Sequence, residues 1–193
     1  WAGVLRGAAG IVGCNNPKVE HDYAHITLMK ELIKNDVICV VTGCAAQAAA
    51  KAGLLKLEAK ELCGRGLKEA CERANIPPVL HMGSCVDISR ILHLVTLVAN
   101  ERGVDIAELP VVGAAPEYMS EKAVAIASYV VSSGLNTYLG VMPYVSGSEN
   151  FMKLMTEGVK EWTGAAYVFE SDPIKAAELI MADIEDKRTK LGI

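Results

Sequence analysis

The chain has 193 residues, 51% of them hydrophobic and 22% charged, with a formal net charge of −4 at pH 7. This is the length of one α/β unit with a substantial core, and the composition excludes disorder. The lack of a basic block and the 5% aromatic content argue against nucleic acid and anionic membrane surfaces, and no apolar run reaches the ~18 residues of a membrane span.

Six cysteines in a chain of this size do not read as a disulfide framework. They predict a reducing, cytoplasmic setting in which cysteines are buried, catalytic or metal-binding. The chain opens Trp1-Ala2-Gly3, without an initiator Met, a charged segment or an apolar leader. That predicts a single-domain fragment, 1–193, of a longer protein with no signal peptide.

Strand-like and helix-like segments alternate. Residues 8–12 are a short apolar run, broken by Gly10 and closed by Gly13. Residues 23–34 carry helical spacing at Tyr23, Ile26, Leu28 and Ile33. Residues 37–42 are an apolar strand ending at Gly43-Cys44. An alanine-rich helix is expected over 45–52 and one amphipathic helix over 58–74. A third strand, 79–82, leads through Gly83-Ser84-Cys85 to a helix over 87–101. A fourth strand, 110–114, precedes a helix over 120–131 with Ser120 as its N-cap. The fifth strand, 137–141, is followed by a helix over 148–162. The sixth, 166–169, precedes a terminal helix, 173–190, with a charged outer face. Short strands apolar on both faces and spaced by helices predict a Rossmann-like three-layer α/β sandwich. Its sheet is expected to be mostly parallel, with about six strands.

In such a sheet the carboxyl ends of the strands share one edge, where open α/β folds bind ligands. Cys14, Cys44 and Cys85 each follow a strand and a glycine or Gly-Ser turn, and Lys122 follows strand four at the start of its helix. Three thiols and an amine would converge there. For these cysteines the pattern leaves two readings open, metal ligands or small buried residues. Cys39, inside a strand, and Cys63 and Cys71, without ligand spacing, read as filler. His81, just before the Cys85 turn, is a ligand, an outer hydrogen-bond partner or a core residue, and His21, His25 and His93 read as structural. Asn15 and Asn16 read as turn formers. No glycine-rich phosphate loop is present, so the frame does not imply a nucleotide.

The motifs Gly13-Cys14-Asn15-Asn16-Pro17, Thr42-Gly43-Cys44-Ala45-Ala46-Gln47-Ala48, His81-Met82-Gly83-Ser84-Cys85-Val86-Asp87 and Pro116-Glu117-Tyr118-Met119-Ser120-Glu121-Lys122-Ala123 together resemble one family. It is the C-terminal domain of the anaerobic nickel–iron carbon monoxide dehydrogenases, and the resemblance runs along the whole chain. The short interval from Cys44 to Cys85 leans towards the archaeal acetyl-CoA decarbonylase/synthase type, whose α subunit is the dehydrogenase. The resemblance implies a C-cluster, a Ni-4Fe-4S type centre of nickel, iron and sulfide. Cys14 and Cys44 would bind cluster iron and Cys85 nickel. His81 would be an outer neighbour, Lys122 would stand beside the substrate, and Ile126 would form an apolar wall. The implied reaction is CO + H2O to CO2 with release of two protons and two electrons, run reversibly.

The family also uses a histidine and two cysteine ligands, and further iron–sulfur clusters, from N-terminal regions that this sequence lacks. The chain alone is therefore expected neither to assemble the cluster nor to turn over CO. The same resemblance implies a homodimer for the whole protein, an electron carrier such as ferredoxin, and acetyl-CoA synthase subunits as partners. Two other readings compete. One is a hybrid-cluster protein domain of the hydroxylamine reductase kind. The other is a non-catalytic α/β docking module with its cysteines dispersed.

Overall fold

The computed structural model describes residues 4–119 and 121–193. Six strands, β1 (Gly7–Ile11), β2 (Val37–Val41), β3 (Val79–His81), β4 (Val111–Ala115), β5 (Thr137–Leu139) and β6 (Tyr167–Phe169), form one sheet in the order β3-β2-β1-β4-β5-β6. Every pairing is parallel. The chain reverses its direction of winding between β1 and β4, which opens a crevice at their carboxyl ends. The expected three-layer architecture is the observed one.

The strands are buried on both faces, and alternate residues feed two cores. Ala9, Ile11, Val37, Cys39 and Val41 pack against α1 (Tyr23–Lys34), α2 (Gly43–Lys51), α3 (Arg65–Ala74) and α8 (Pro173–Leu191). On the other face Val40, Ala115 and Leu139 meet α4 (Ile88–Arg102) and α5 (Glu121–Ser132) through Ile91, Ala123, Ala127 and Val131. Burying this much aliphatic surface, at about 25 cal/mol per Å², is what holds the layers together. Cys39 and Cys71 are core residues and Cys63 packs against the same core, as filler cysteines do. No helix among the described residues is long and apolar enough to cross a membrane.

The expected helix over 58–74 is split. A 3₁₀ turn covers Leu57–Leu62, the chain straightens at Cys63-Gly64, and α3 starts at Arg65. The cause is a cap from another element. Asp36, in the turn before β2, accepts the Leu67 N–H at 2.8 Å, satisfying one of the free donors at the start of α3. Gly66 lies so close to Val4 that a β-carbon would run into its carbonyl oxygen. The helix expected over 148–162 is also not uniform. α6 (Glu149–Lys153) passes through a π turn at Leu154–Gly158 into α7 (Val159–Thr163). Ser120, the expected N-cap of α5, lies outside the described residues.

α8 is capped by Asp172, whose carboxylate accepts from the Ile174 N–H at 2.9 Å, with Pro173 opening the helix. Its outer face is charged as expected, yet Lys187 is buried. The Lys187 Nζ donates to the Val111 carbonyl at 2.9 Å, and Arg188 reaches the Leu5 carbonyl at 3.0 Å. These bonds tie the last helix to the amino edge of the sheet and leave the carboxyl edge open.

Candidate metal centre

Each of the three cysteines is delivered to the carboxyl edge by a tight turn. After β1, Gly13 has φ +133°, a conformation open to glycine and costly for other residues. Cys14 follows, its N–H donating to the Glu117 carbonyl at 3.0 Å and its carbonyl held 2.8 Å from His25 Nε2. After β2, Gly43 takes φ +61° and donates its N–H to the Gly83 carbonyl at 3.0 Å. A β-carbon on Gly43 would stand 3.1 Å from Cys85 Cβ, so the second and third turns press together. Cys44 sits in the first turn of α2, which starts at Gly43, two residues before the helix start expected from sequence. After β3, Gly83 (φ +125°) leads into a capping box. The Ser84 N–H and hydroxyl both donate to Asp87 Oδ2, at 2.7 and 2.9 Å. Cys85 opens the short 3₁₀ turn in front of α4.

Lys122 reaches this edge from the first turn of α5, and its Nζ donates to Cys85 Sγ at 2.8 Å. Val12, Gly13, Cys14, Cys85, Lys122, Ala123 and Ile126 line one small pocket. Cys14, Cys85 and Lys122, read from three separate motifs, thus meet, together with Ile126, which lies one helical turn beyond Lys122. Cys44 is not part of this lining but lies close enough to feel its charged groups. Burial pushes its thiol pKa up, and the neighbouring sulfurs of Cys14 and Cys85 push in the same direction while Lys122 opposes them. Lys122 is exposed, and its pKa is raised by its bond to Cys85 and then by the surrounding thiol charges. A basic amine among thiols stabilises their ionised, metal-binding form.

Among the described residues no three His, Cys, Asp or Glu side chains converge closely enough for a single metal ion. Two of the thiols, Cys14 and Cys85, instead line one pocket from separate loops, with Cys44 close enough for their charges to act on it. That spread fits a cluster with several metal atoms, each taking its own soft ligand, better than a mononuclear site.

His81 is exposed at the end of β3, outside the pocket lining. His93 is exposed on α4. His21 lies 3.4 Å from both Asp22 and Lys51. The sequence reading missed the polar layer beneath Cys14. His25 and Glu117 are both 0% exposed. Asn15 Nδ2 donates to Asp22 Oδ1 at 2.8 Å and to Glu117 Oε2 at 3.3 Å, and Asn16 Nδ2 donates to the Tyr118 carbonyl at 2.9 Å. His25 Nδ1, Glu117 Oε1 and Thr42 Oγ1 are buried without a hydrogen-bond partner among the described residues. Burial lowers the His25 pKa against the opposing pull of the Cys14 carbonyl and the Glu117 and Asp22 carboxylates. The one signal in the sequence was the position of His25 on the apolar face of α1, beside Leu28, Met29 and Leu32.

Asp22, ahead of α1, is buried in an ion pair with Lys51. Burial alone would raise its pKa, but the bonds from Lys51 and Asn15 outweigh it and hold the carboxyl below the usual carboxylate range. A depressed carboxylate adds stability above its unfolded-state pKa, and that contribution disappears as pH falls through the folded value. Asp22→Asn keeps the left-handed backbone (φ 65°) that asparagine tolerates. It is expected to cost about 1–3 kcal/mol at neutral pH. Thermal unfolding of wild type and variant from pH 7 to pH 3 checks this, and the difference should shrink on acidification.

The Prismane/CO dehydrogenase family model matches residues 1–174. Carbon monoxide dehydrogenase 1 of Methanosarcina acetivorans is 57% identical over 191 residues, covering 99% of this chain and 30% of that protein. The carbon monoxide dehydrogenase/acetyl-CoA synthase subunit beta of Moorella thermoacetica is 46% identical over 200 residues, with 99% and 30% covered. A solved structure, the Ni-free carbon monoxide dehydrogenase of Thermococcus sp. AM4, superposes with a TM-score of 0.96 at 56% identity, covering 98% of this chain and 30% of that chain. The chain thus spans about 30% of the length of the curated relatives it matches.

Proposed function

Because the chain belongs to the Prismane/CO dehydrogenase family, we propose that it is the C-terminal, cluster-binding domain of an anaerobic nickel–iron carbon monoxide dehydrogenase. The reaction is reversible oxidation of CO with water to CO2, two protons and two electrons. The observation that carries this reading is the meeting of Lys122 with Cys85 at 2.8 Å over a pocket shared with Cys14 and Ile126.

In this reading Cys14 and Cys44 hold iron, and Cys85 holds nickel, of a Ni-4Fe-4S type C-cluster. When bound, the cluster supplies a metal that takes up CO and a store for the two electrons. The chain's own residues do the rest. Lys122, a cation on an otherwise apolar wall, stabilises negative charge developing on the substrate oxygens and accepts or donates a proton at Nζ. Ile126 shapes the pocket and excludes water from it. His81 is an outer residue of the Cys85 loop. The remaining cluster ligands and further iron–sulfur clusters come from the rest of a longer, cytoplasmic protein, so the 193 residues alone do not turn over CO. A ferredoxin-like carrier takes the electrons, and the whole protein is a homodimer. Acetyl-CoA synthase subunits are further partners, following the name of the Moorella relative.

Anaerobic metal analysis of the full-length parent and its Cys85→Ala variant tests the assignment. Loss of nickel and of CO oxidation, with iron largely kept, is the expected result. Unchanged nickel and unchanged turnover would overturn it and favour the docking-module reading.

A further inference from the structure

Among the three cysteine loops, that of Cys14 is gripped on both sides of its peptide by buried groups. Its N–H goes to the Glu117 carbonyl and its carbonyl to His25 Nε2 at 2.8 Å. A carbonyl can only accept, so Nε2 carries a ring hydrogen. Gly13 fills the space between these two partners. A β-carbon there would collide with the Glu117 carbonyl and stand 3.1 Å from His25 Cε1. Asn15 and Asn16 then fasten the same loop to Glu117 and Tyr118, the segment that runs into α5 and Lys122. The loop carrying one thiol and the helix carrying the amine are therefore registered against each other through a layer of polar side chains.

A fully buried imidazole costs desolvation that phenylalanine or leucine at the same position would not. The hydrogen bond shown for His25 goes to the peptide of Cys14, and its other ring nitrogen has no partner among the described residues. We propose that His25 is a positioning residue for the metal centre, its hydrogen bond fixing the Cys14 peptide and so the direction of the Cys14 sulfur relative to Cys85 and Lys122. This rests on the reading of Cys14 as a cluster ligand. Groups that orient a ligand set both the affinity of a metal site and its electronic properties.

The test uses the full-length parent, isolated anaerobically, with His25→Phe and His25→Gln. Phenylalanine keeps the ring volume and removes the donor, while glutamine offers an amide donor to the same carbonyl. The readouts are iron per protein, the electron paramagnetic resonance spectrum of the cluster, CO turnover and the unfolding temperature. His25→Phe is expected to shift the spectrum and lower turnover by about tenfold, and His25→Gln to restore the wild-type spectrum at least in part. A wild-type spectrum in folded His25→Phe would overturn the positioning role, and so would a glutamine variant shifted as far as the phenylalanine one. A wild-type parent without nickel would overturn the proposed function itself, a result separate from either.

Discussion

Replacing Lys122 by alanine in the full-length protein should lower CO oxidation by about 10²–10³-fold, the usual cost of removing one preorganised charge stabiliser. Nickel and iron content should stay at wild-type levels. Lys122 sits 2.8 Å from Cys85 Sγ and on the rim of the pocket lined by Cys14 and Ile126, yet its amine stands there as a donor to sulfur and not as a metal ligand. Its removal should therefore separate chemistry from assembly, unlike Cys85→Ala. Lys122→Arg keeps the charge but broadens and lengthens the head group, and should recover part of the loss. Dye-linked turnover with parallel metal analysis decides the matter. Full activity in Lys122→Ala would remove the lysine from the reaction.

The second large effect is on stability. Gly13→Ala should destabilise the protein by about 3 kcal/mol or more, from the cost of φ +133° for a residue with a side chain together with overpacking. The new methyl has no way out, because it meets the backbone of Glu117 and the ring of His25 rather than a flexible chain end. Gly53 is the control. It too has positive φ, +74°, but a β-carbon there meets nothing within 4 Å. Gly53→Ala should cost only about 1 kcal/mol, the penalty of the left-handed backbone alone. Denaturation midpoints of the two variants, side by side, separate strain from crowding.

The strands were legible in the sequence because each is a short apolar run bounded by glycine, proline or a polar turn. β2, Val-Ile-Cys-Val-Val, is the clearest case. The convergence of Cys14, Cys44 and Cys85 followed from parallel topology alone, since parallel strands put all their carboxyl ends on one edge. The break before α3 was not legible. Its cause is Asp36, 31 positions away from the Leu67 N–H that it accepts, and helical periodicity carries no trace of a cap lent by another element. His25 was hidden for a related reason. On α1 it occupies an ordinary core position, and its bond to Cys14 exists only once β1 and α1 are docked. The Lys122–Cys85 contact likewise depends on β4 lying next to β1 while β3 lies beyond β2, an order that local patterns do not encode.

The strand order has a bearing on how the finished protein comes to exist. Each thiol of the pocket belongs to a different strand–helix junction, so no local stretch of the unfolded polypeptide can gather two of them in advance. Distant pairings of this kind form late and slowly. The sheet must be complete from β3 across to β1 before the thiols face one another, and must extend to β4 before Lys122 joins them, which in the proposed reading makes metal delivery a late event in biogenesis rather than a nucleus for it. This contrasts with small zinc domains, whose ligands lie close in sequence and whose chains order around the ion. Here the apolar layers have to hold their shape unaided while a nearly finished pocket waits for its inorganic contents.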